Sequence, residues 1–355
     1  MSRFYICDEE HTKNEILKLN QVNFTNSSLH HMQSSIFKYF PFNDYSIQAL
    51  TNNTIYLQTP ALFDDPYDCN LFIDSQQFYM ERVKYYAKCC GITLDDNWNY
   101  SDISYNLAMR IYTHISQGNP LENIYKPDEK SELVRKTQEI FINTIKCELL
   151  SPSANENSYH TAINKVIGKE YKGIQDTANR FRISCFTQNP FSMLMWSHYA
   201  QSHQGFCIEY QCPTWSDDNS DIYCNLFPVI YTDERINLND EFLAFETNGT
   251  LTKTELWNIY KYGLLSKNID WKYQQEWRLI SYDNLLSSSN DYNCKFFKIK
   301  KVYLGNKMTK ENRLKIVQIC KDKDIPYSGV TIANNKFEMK ECNMLCEDCL
   351  KLKSV

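Results

Sequence analysis

Hydrophobic and polar positions change period twice between residues 182 and 210, which predicts three consecutive elements. Residues 182–186 are mostly apolar and β-prone, a composition typical of a short strand. Asn189 then offers an oxygen for a helix N-cap, and Pro190 suits the first helical position. The helix should end about two residues before Gly205, because glycine readily adopts the left-handed conformation that closes a helix.

One broad face of this predicted helix is apolar when successive residues are rotated by about 100°. The residues on that face are Met193, Met195, Trp196, Tyr199 and Ala200. Ser197 and Gln201 point away from it, and His198 lies on its flank. Residues 206–210 alternate between apolar and other side chains, which predicts a returning strand.

The same reasoning divides the rest of the chain into strand-rich and helical parts. Strands are predicted at 36–40, 54–59, 227–231, 271–281 and 296–304, helices near 46–51, 239–265 and 308–321, and a last strand pair near 326–332 and 335–339. The organisation expected is a peripheral N-terminal segment at 1–35, a core in two halves at 36–74 and 182–305, a helical insertion at 75–181, and a C-terminal βαβ-like segment with a cysteine-rich tail at 306–355. The predicted fold class is α+β.

Composition adds three expectations about environment. A net charge of −5 argues against nonspecific binding to nucleic-acid backbones, although a local basic groove stays open. No apolar run approaches the roughly 18 residues that span a bilayer, and the first residues lack a signal-peptide pattern, so a cytoplasmic protein without a membrane partner is expected. Most of the 14 cysteines stand singly in apolar segments, which favours free thiols over disulfides.

The predicted strand at 271–281 is a candidate for chemistry. Period-two alternation places Gln274, Glu276 and Arg278 on one face. A glutamate there can stabilise positive charge that develops on a ribose, and an adjacent arginine can keep it ionised or bind a phosphate. The alternative is an exposed Glu–Arg pair on a sheet surface, and spacing alone favours that plainer interpretation.

The central helix offers further candidates with plain alternatives. His198 can act as an acid, a base or a hydrogen-bond donor, or it can be a partly buried histidine satisfied by a backbone carbonyl. Trp196 and Tyr199 can stack on a flat ligand, although such a stripe on a helix is more often part of the core.

Two groups of residues have metal-ligand chemistry without a decisive pattern. The acids of one loop, Asp64, Asp65 and Asp68, can bind a divalent cation or simply form an Asp-Pro turn. The tail cysteines, Cys342, Cys346 and Cys349, have a spacing compatible with zinc or an iron–sulfur cluster but lack an assigned fourth ligand. No metal is therefore assigned. The common phosphate-loop, serine-hydrolase, zincin and dinucleotide-binding motifs are absent from the sequence.

Six segments taken together resemble the family catalogued as domain of unknown function 2971. They are Phe37–Phe40, Phe63–Asp68, Ser184–Thr187, Met195–Ala200, His203–Glu209 and Trp271–Arg278. The resemblance covers most of residues 36–305, and the helical insertion is its variable part. One departure is Asp64, where the family usually has asparagine, which puts a ligand role of that side chain in doubt.

The layout of this family is similar to that of a diverged ADP-ribosyltransferase, and some members occur with prokaryotic anti-phage and toxin systems. The resemblance implies a split mixed or antiparallel β-sheet core, a large helical insertion, and NAD as substrate. The residues implied as catalytic are Glu276, which would contact the ribose, Gln274, which would position ribose or acceptor, and Arg278 and His198, which would contact the pyrophosphate or complete the network. Those implied to bind NAD are Tyr39, Lys38, Trp196, Ser197 and Tyr199, with Tyr39 and either Tyr199 or Trp196 against the nicotinamide.

The function expected from this resemblance is that of an NAD-dependent ADP-ribosyltransferase-like effector. Its acceptor would be a nucleic acid or a protein, and a partner protein from the same defence or toxin system is expected. Two other classes stay open. One is a metal-dependent nuclease or hydrolase that uses His198, Glu276 and the acids of residues 64–68, and the other is a non-catalytic ligand-sensing or interaction protein.

Overall fold

The computed structural model describes the chain in several stretches. They are residues 3–19, 34–89, 91–95, 97–98, 178–212, 225–248, 252–282 and 292–342, with the isolated positions 106–107, 110, 113, 172 and 176. Most of the predicted insertion at 75–181 lies outside these stretches, and so do Cys346 and Cys349. The described residues fall into two compact units, Met1–Asp68 with Asn179–Glu234 and Leu265–Val355, and Cys69–Ala178 with Arg235–Leu264.

All strands of the described residues belong to the first unit. They are β1 Phe4–Ile6, β2 Glu9–His11, β3 Ser35–Phe40, β4 Thr54–Tyr56, β5 Phe181–Thr187, β6 Phe206–Gln211, β7 Leu226–Pro228, β8 Ile230–Thr232, β9 Ser266–Asn268, β10 Glu276–Tyr282, β11 Asn293–Lys295, β12 Ile299–Leu304, β13 Tyr327–Ile332 and β14 Met339–Glu341. The α-helices named in the described stretches are α1 Lys13–Lys18, α2 Asp44–Asn52, α3 Ser75–Cys89, α4 Met193–Tyr199, α5 Asn239–Asn248, α6 Lys253–Asn258 and α7 Lys310–Asp322. Short 3₁₀ helices cover Pro60–Leu62 and Ile269–Gln274, and a π-helix covers Ile259–Leu264.

The main sheet of the first unit has the strand order β14-β13-β12-β6-β3-β5-β10-β7. Its pairs are antiparallel except β12 with β13, which α7 connects in parallel as the predicted βαβ segment. A smaller sheet has the order β2-β1-β8-β9, and β11 pairs with β4. This arrangement confirms the α+β class with mixed and antiparallel sheets.

The main sheet is almost interrupted between β3 and β5. The two strands share one register pair, Phe37 with Thr187. Further along β5, Ile183 exchanges both backbone hydrogen bonds with Gln58 at 2.8 Å instead of with β3. The Lys38 ammonium donates to the Cys185 carbonyl at 2.8 Å, which satisfies a backbone acceptor that the missing strand pair leaves available.

Both faces of the main sheet are covered, so neighbouring strand residues are buried on either side. One face forms a large core of aliphatic and aromatic residues, among them Phe186, Phe206, Ile208, Tyr210, Trp277 and Leu279. On the other face, α4 packs Met195, Trp196 and Ala200 against Phe37, Tyr39, Cys207 and Tyr303. The apolar face predicted for the central helix is confirmed at these positions, whereas Met193 is 38% exposed.

The N-terminal segment was predicted to be peripheral, but part of it belongs to the smaller sheet. Strand β1 pairs with β8 in the smaller sheet, and Phe4 and Ile6 are buried. Its side chains therefore contribute to a core of the first unit.

The second unit contains α3, α5, α6 and the π-helix. Asn239 at the start of α5 donates to the Asp74 carbonyl at 3.2 Å, and Trp257 of α6 is buried. None of the helices in the described stretches has both the length and the apolarity that a bilayer crossing requires.

The central helix begins and ends differently from the prediction. Ser192, not Asn189, is its N-cap, with a bond from the Met195 amide at 3.4 Å. Asn189 instead accepts from the Phe191 amide at 2.9 Å within a preceding turn. After Tyr199 the left-handed positions are three consecutive non-glycine residues, Gln201, Ser202 and His203, with φ of 49°, 53° and 71°.

Gly205 therefore has a different role from the predicted helix stop. A Cβ atom at this position would lie 2.1 Å from the Phe40 carbonyl oxygen and 3.0 Å from the Ala200 carbonyl oxygen. Close approach of two backbone segments, rather than a positive φ, requires glycine here.

The predicted strand at 271–281 begins later than expected. Residues Ile269–Gln274 form a 3₁₀ helix whose N-cap, Asn268, accepts from the Asp270 amide at 2.8 Å. Gln275 then adopts a left-handed conformation with φ of 44°, and β10 starts at Glu276. The Asn268 side chain forms a local hydrogen bond with the backbone that stabilises the 3₁₀ helix. This stabilisation outweighs the β propensity of the aromatic residues that follow.

We predict that Gly205→Ala destabilises the protein by about 3 kcal/mol, because neither contacting atom is a flexible side chain. Chemical denaturation measures the free energy of unfolding. Gly91→Ala is the contrasting variant, since a Cβ there meets no atom within 4 Å and only its φ of 69° opposes the change. A cost at Gly205 no larger than that at Gly91 would contradict the steric account.

Candidate functional site

Four buried charged side chains meet at the beginning of β10. Glu276 and Asp68 are each 4% exposed, Lys267 is 7% exposed and Arg278 is fully buried. The Lys267 ammonium lies 2.9 Å from Glu276 Oε2 and 3.0 Å from Asp68 Oδ2. The Arg278 guanidinium contacts Glu276 Oε1 at 2.8 Å through Nε and Asp68 at 2.7 Å through Nη2. We call these four residues the charge cluster.

Local structure explains how each member reaches this point. Glu276 and Arg278 are two positions apart on β10 and share one face of the strand. Lys267 is the central residue of β9, and Asp68 lies in the turn-rich loop between the 3₁₀ helix Pro60–Leu62 and α3. The cluster thus joins β10 of the main sheet to a strand of the smaller sheet and to a loop.

The cluster extends through neutral hydrogen-bonding groups. Lys267 donates a third bond, at 2.9 Å, to Oε1 of Gln274, which uses all three donors of its ammonium. Gln274 Nε2 donates to the Tyr199 hydroxyl at 2.7 Å. The backbone amide of Glu276 donates to the hydroxyl of the buried Tyr231 at 2.8 Å.

Electrostatics keep the cluster ionised. Burial alone raises the pKa of Glu276, but Arg278 and Lys267 lower it, and the net pKa lies well below its usual range. Burial lowers the pKa of Lys267, whereas Glu276 and Asp68 raise it, so its net pKa lies above the usual range. Two carboxylates and two cations balance one another in this site.

Strand β5 provides the neighbouring surface. In the antiparallel register Cys185 lies opposite Arg278, and Thr187 lies opposite Glu276. Burial raises the pKa of the Cys185 thiol above its usual range, so the group stays protonated and its S–H bonds to Glu276. The Thr187 hydroxyl donates to the Gln274 carbonyl at 2.6 Å and fixes the turn before β10.

Lys38 lies at the interruption between β3 and β5. Its ammonium is bonded to the Cys185 carbonyl and lies 5.1 Å from the centroid of the Phe186 ring. Burial lowers the pKa of Lys38, while Cys185 and Glu276 raise it, and the net pKa lies below the usual value. The sequence-predicted Lys38 is therefore close enough to Glu276 for charge interaction.

Tyr39 and Trp196 are parts of the protein core. Their rings meet edge to face, with centroids 5.2 Å apart, and they are 7% and 0% exposed. The Tyr39 hydroxyl donates to the Asn189 carbonyl at 2.8 Å, and Trp196 Nε1 donates to the Pro190 carbonyl at 2.9 Å. In this arrangement both rings support the turn before α4, and neither presents a face to a ligand.

Ser197 and His198 lie on the exposed side of α4. The Ser197 hydroxyl donates to the Met193 carbonyl at 2.9 Å and lies 3.0 Å from Nε2 of His203. The ring of His198 is 6.3 Å from that of Tyr199 and 6.5 Å from that of Tyr273, measured between centroids. Of the predicted residues, Gln274, Glu276, Arg278 and Tyr199 come together, and Lys38 lies beside them. His198 lies next to this group, beside the ring of Tyr199.

Sequence reasoning missed three aspects of this site. Lys267 received no role, because it lies in the polar segment 266–270, which carries no local signal of a buried charge. The plain interpretation of Glu276 and Arg278 as an exposed surface pair is wrong, because both side chains are buried. Gln274 reaches the site from a 3₁₀ helix and not from the predicted strand.

The acids of residues 64–68 behave as turn and ion-pair residues. Asp65 accepts from the Tyr67 amide at 2.9 Å, and Asp68 is held by Lys267 and Arg278. Within the stretches that the structure describes, no three His, Cys, Asp or Glu residues are grouped so that they could hold a metal ion.

The sequence matches the model of the family described as "Protein of unknown function (DUF2971)" over residues 195–279. This match confirms the family resemblance across α4 and up to the start of β10, and it includes Lys267, Gln274, Glu276 and Arg278. No curated protein and no solved structure matches the chain.

We predict strong coupling within the charge cluster. Lys267→Met and Asp68→Asn should each cost about 3–5 kcal/mol of unfolding free energy, because each leaves an uncompensated buried charge. The double variant restores neutrality, so its cost should fall short of the sum by more than about 1 kcal/mol in chemical denaturation. Lys315→Met, at an exposed pair with Glu311, should cost at most about 0.5 kcal/mol. Additive costs would contradict the electrostatic coupling.

The stability contributed by Glu276 should depend on pH in one direction. Its folded pKa is lowered relative to the reference value of 4.5, so its contribution is fully present above that value and is lost as the pH falls through the folded pKa. The difference in unfolding free energy between wild type and Glu276→Gln should be constant from neutral pH to about pH 5 and shrink at lower pH. Denaturant titrations across this range measure it, and a difference that grows on acidification would contradict the assignment.

Proposed function

We propose that the protein is an NAD-dependent ADP-ribosyltransferase-like enzyme whose central residue is Glu276. The observation that carries this proposal is a buried, ionised glutamate at the first position of β10 with Gln274 two residues before it, both bonded to Lys267. This is the Gln-x-Glu arrangement that the family resemblance implies at the start of a late strand. The charge cluster fixes the side chain of Glu276, and preorganised charge is what transition-state stabilisation requires.

The interrupted sheet supports the same proposal. The resemblance implies a split β-sheet, and β3 and β5 share one register pair before they separate. Lys38 belongs to β3, which is the first strand of the main sheet in chain order. It lies where β3 and β5 separate, near Glu276. Lys38 thus comes close to the late-strand motif within one unit, whereas its neighbour Tyr39, the residue implied for the first-strand motif, lies in the core.

Glu276 retains the capacity to bind a ribose hydroxyl. Each carboxylate oxygen has two acceptor sites, and Glu276 accepts one bond from Lys267, one from Arg278 and one from the Cys185 thiol. The negative charge would stabilise positive charge on the ribose carbon as its bond to nicotinamide breaks and the electron pair leaves with the ring nitrogen. The acceptor nucleophile then forms the new bond to this carbon and releases its proton to solvent, because the low pKa of Glu276 makes it a poor base.

The remaining parts of the site have roles consistent with this chemistry. Gln274 and Tyr199 form a hydrogen-bonded pair that would position the ribose or the acceptor. Arg278 and Lys267 hold Glu276 in the ionised state. The acceptor is a nucleic acid or a protein, and we place the enzyme in the cytoplasm as an effector of a prokaryotic anti-phage or toxin system, together with a partner protein of that system.

The geometry favours this function over metal-dependent hydrolysis. Asp68 and Glu276 already pair with Lys267 and Arg278, so a cation would have to displace two buried positive charges. A ligand-sensing protein without catalysis would use the same residues, and activity measurements distinguish it.

We predict that the wild-type protein releases nicotinamide from NAD when candidate nucleic-acid or protein acceptors are present, and that Glu276→Gln lowers the rate at least about 100-fold. Glutamine preserves the size of the side chain but removes the charge. Liquid chromatography of nicotinamide measures the rate, and thermal melting establishes that each variant is folded at the assay temperature.

Glu209→Gln is the matched control. Glu209 is also buried on a strand of the same sheet and accepts from Ser35, Tyr303 and Lys300, but it lies on β6 outside the charge cluster. This variant should retain nicotinamide release. The proposal fails if wild type consumes no NAD with any acceptor, or if folded Glu276→Gln consumes it at the wild-type rate.

A further inference from the structure

The hydrogen bonds of three side chains beside Glu276 all run in one direction. The Lys267 ammonium donates to Oε1 of Gln274 at 2.9 Å, and Nε2 of Gln274 donates to the Tyr199 hydroxyl at 2.7 Å. An ammonium has no acceptor, so it holds the oxygen of the Gln274 amide on its own side and turns the NH₂ group towards Tyr199. We call Lys267, Gln274 and Tyr199 the donor chain.

The Tyr199 hydroxyl is the end of the donor chain. Because its oxygen accepts from Gln274, its own hydrogen must point elsewhere, and no residue in the described stretches accepts that hydrogen. Burial raises the pKa of Tyr199 to about 12, so the hydroxyl keeps its hydrogen at neutral pH. The donor chain therefore ends in a hydrogen-bond donor whose direction is fixed by Gln274 and which Gln274 does not saturate.

Exposure distinguishes Tyr199 from the rest of the donor chain. Lys267 and Gln274 are buried, whereas Tyr199 is partly exposed. The same ammonium that holds Gln274 also holds Glu276, and the Tyr199 hydroxyl is near enough to Glu276 for the carboxylate to influence its pKa. One ligand with both hydroxyl groups and acceptor oxygens, as a nucleotide has, can thus donate to Glu276 and accept from Tyr199.

We infer that Tyr199 donates a hydrogen bond to an acceptor oxygen of NAD, and that Gln274 and Lys267 are positioning residues that direct its hydrogen towards the substrate. This inference rests on the proposed function and deepens it. The family resemblance implies a different role for Tyr199, in which its ring or that of Trp196 lies against the nicotinamide. The two roles depend on different parts of the side chain, the hydroxyl in one and the ring in the other.

Tyr199→Phe separates these roles, because it removes the hydroxyl and keeps the ring. Isothermal titration calorimetry with carba-NAD, a carbocyclic analogue that resists loss of nicotinamide, measures the dissociation constant. We expect Tyr199→Phe to raise this constant about three- to tenfold, the net contribution of one hydrogen bond. The matched control is Tyr303→Phe, which removes a hydroxyl that donates to Glu209 outside the charge cluster and should bind as wild type does. Thermal melting establishes that each variant is folded.

Gln274→Glu tests the direction of the donor chain. The new carboxylate would accept from Lys267 and also from the Tyr199 hydroxyl, so the tyrosine hydrogen would turn away from the substrate. We expect this variant to weaken carba-NAD binding by a similar factor. In the Tyr199→Phe background it should have little further effect, since no hydroxyl remains to be turned. An effect that came from the added charge alone would persist in that background.

Unchanged binding by folded Tyr199→Phe, or a Gln274→Glu effect of equal size in both backgrounds, overturns the inference. Absence of carba-NAD binding by wild type also overturns it. Nicotinamide release from NAD, measured on the same samples, separates the two proposals. Binding that weakens as expected in a protein that releases no nicotinamide contradicts only the proposed function, whereas nicotinamide release with unchanged binding by Tyr199→Phe contradicts only this inference.

Discussion

A charge buried in a protein is tolerated only when opposite charges and hydrogen bonds replace the water it has lost, and this requirement organises the first unit. Glu276 begins β10 of the main sheet, Lys267 belongs to β9 of the smaller sheet, and Asp68 lies in a loop. Removing any one of them would leave a buried charge uncompensated. The two sheets and the loop are therefore held together by a neutral set of ions as well as by apolar packing.

The interruption of the main sheet follows the same logic of satisfied polar groups. Where β3 and β5 separate, Lys38 and Gln58 provide the hydrogen bonds that a neighbouring strand would have made. On the far side of β3, Gly205 allows the start of β6 to approach the Phe40 carbonyl more closely than any side chain would permit. The sheet can open on one edge of β3 because its other edge is paired along its whole length with β6.

Local pattern predicted the elements whose boundaries depend on apolar periodicity and failed where polar side chains bind the backbone. The strands near residues 36–40, 182–186 and 206–210 and the helix that ends at Asp322 are close to their predicted positions, because burial of alternate or helical faces decides them. The start of β10 was misplaced because the Asn268 side chain caps a 3₁₀ turn over aromatic residues that favour strands. Spacing on β10 placed Glu276 and Arg278 on one face, but no local pattern reveals that Lys267 and Asp68 come from other segments to bury them.

The arrangement of Glu276 bears directly on how a structural ion pair can also serve chemistry. A carboxylate that donates no proton and changes its ionisation at no working pH is unsuited to acid–base catalysis, yet it is suited to stabilising transient positive charge. Lys267 already uses all three donors on Glu276, Asp68 and Gln274, so its position is fixed before a ligand arrives. A ligand hydroxyl that bonds to Glu276 adds to this network without displacing a member, because the carboxylate has acceptor sites that the cluster does not use. The rigidity that the fold demands and the preorganisation that the reaction would demand are then the same property of the same four residues.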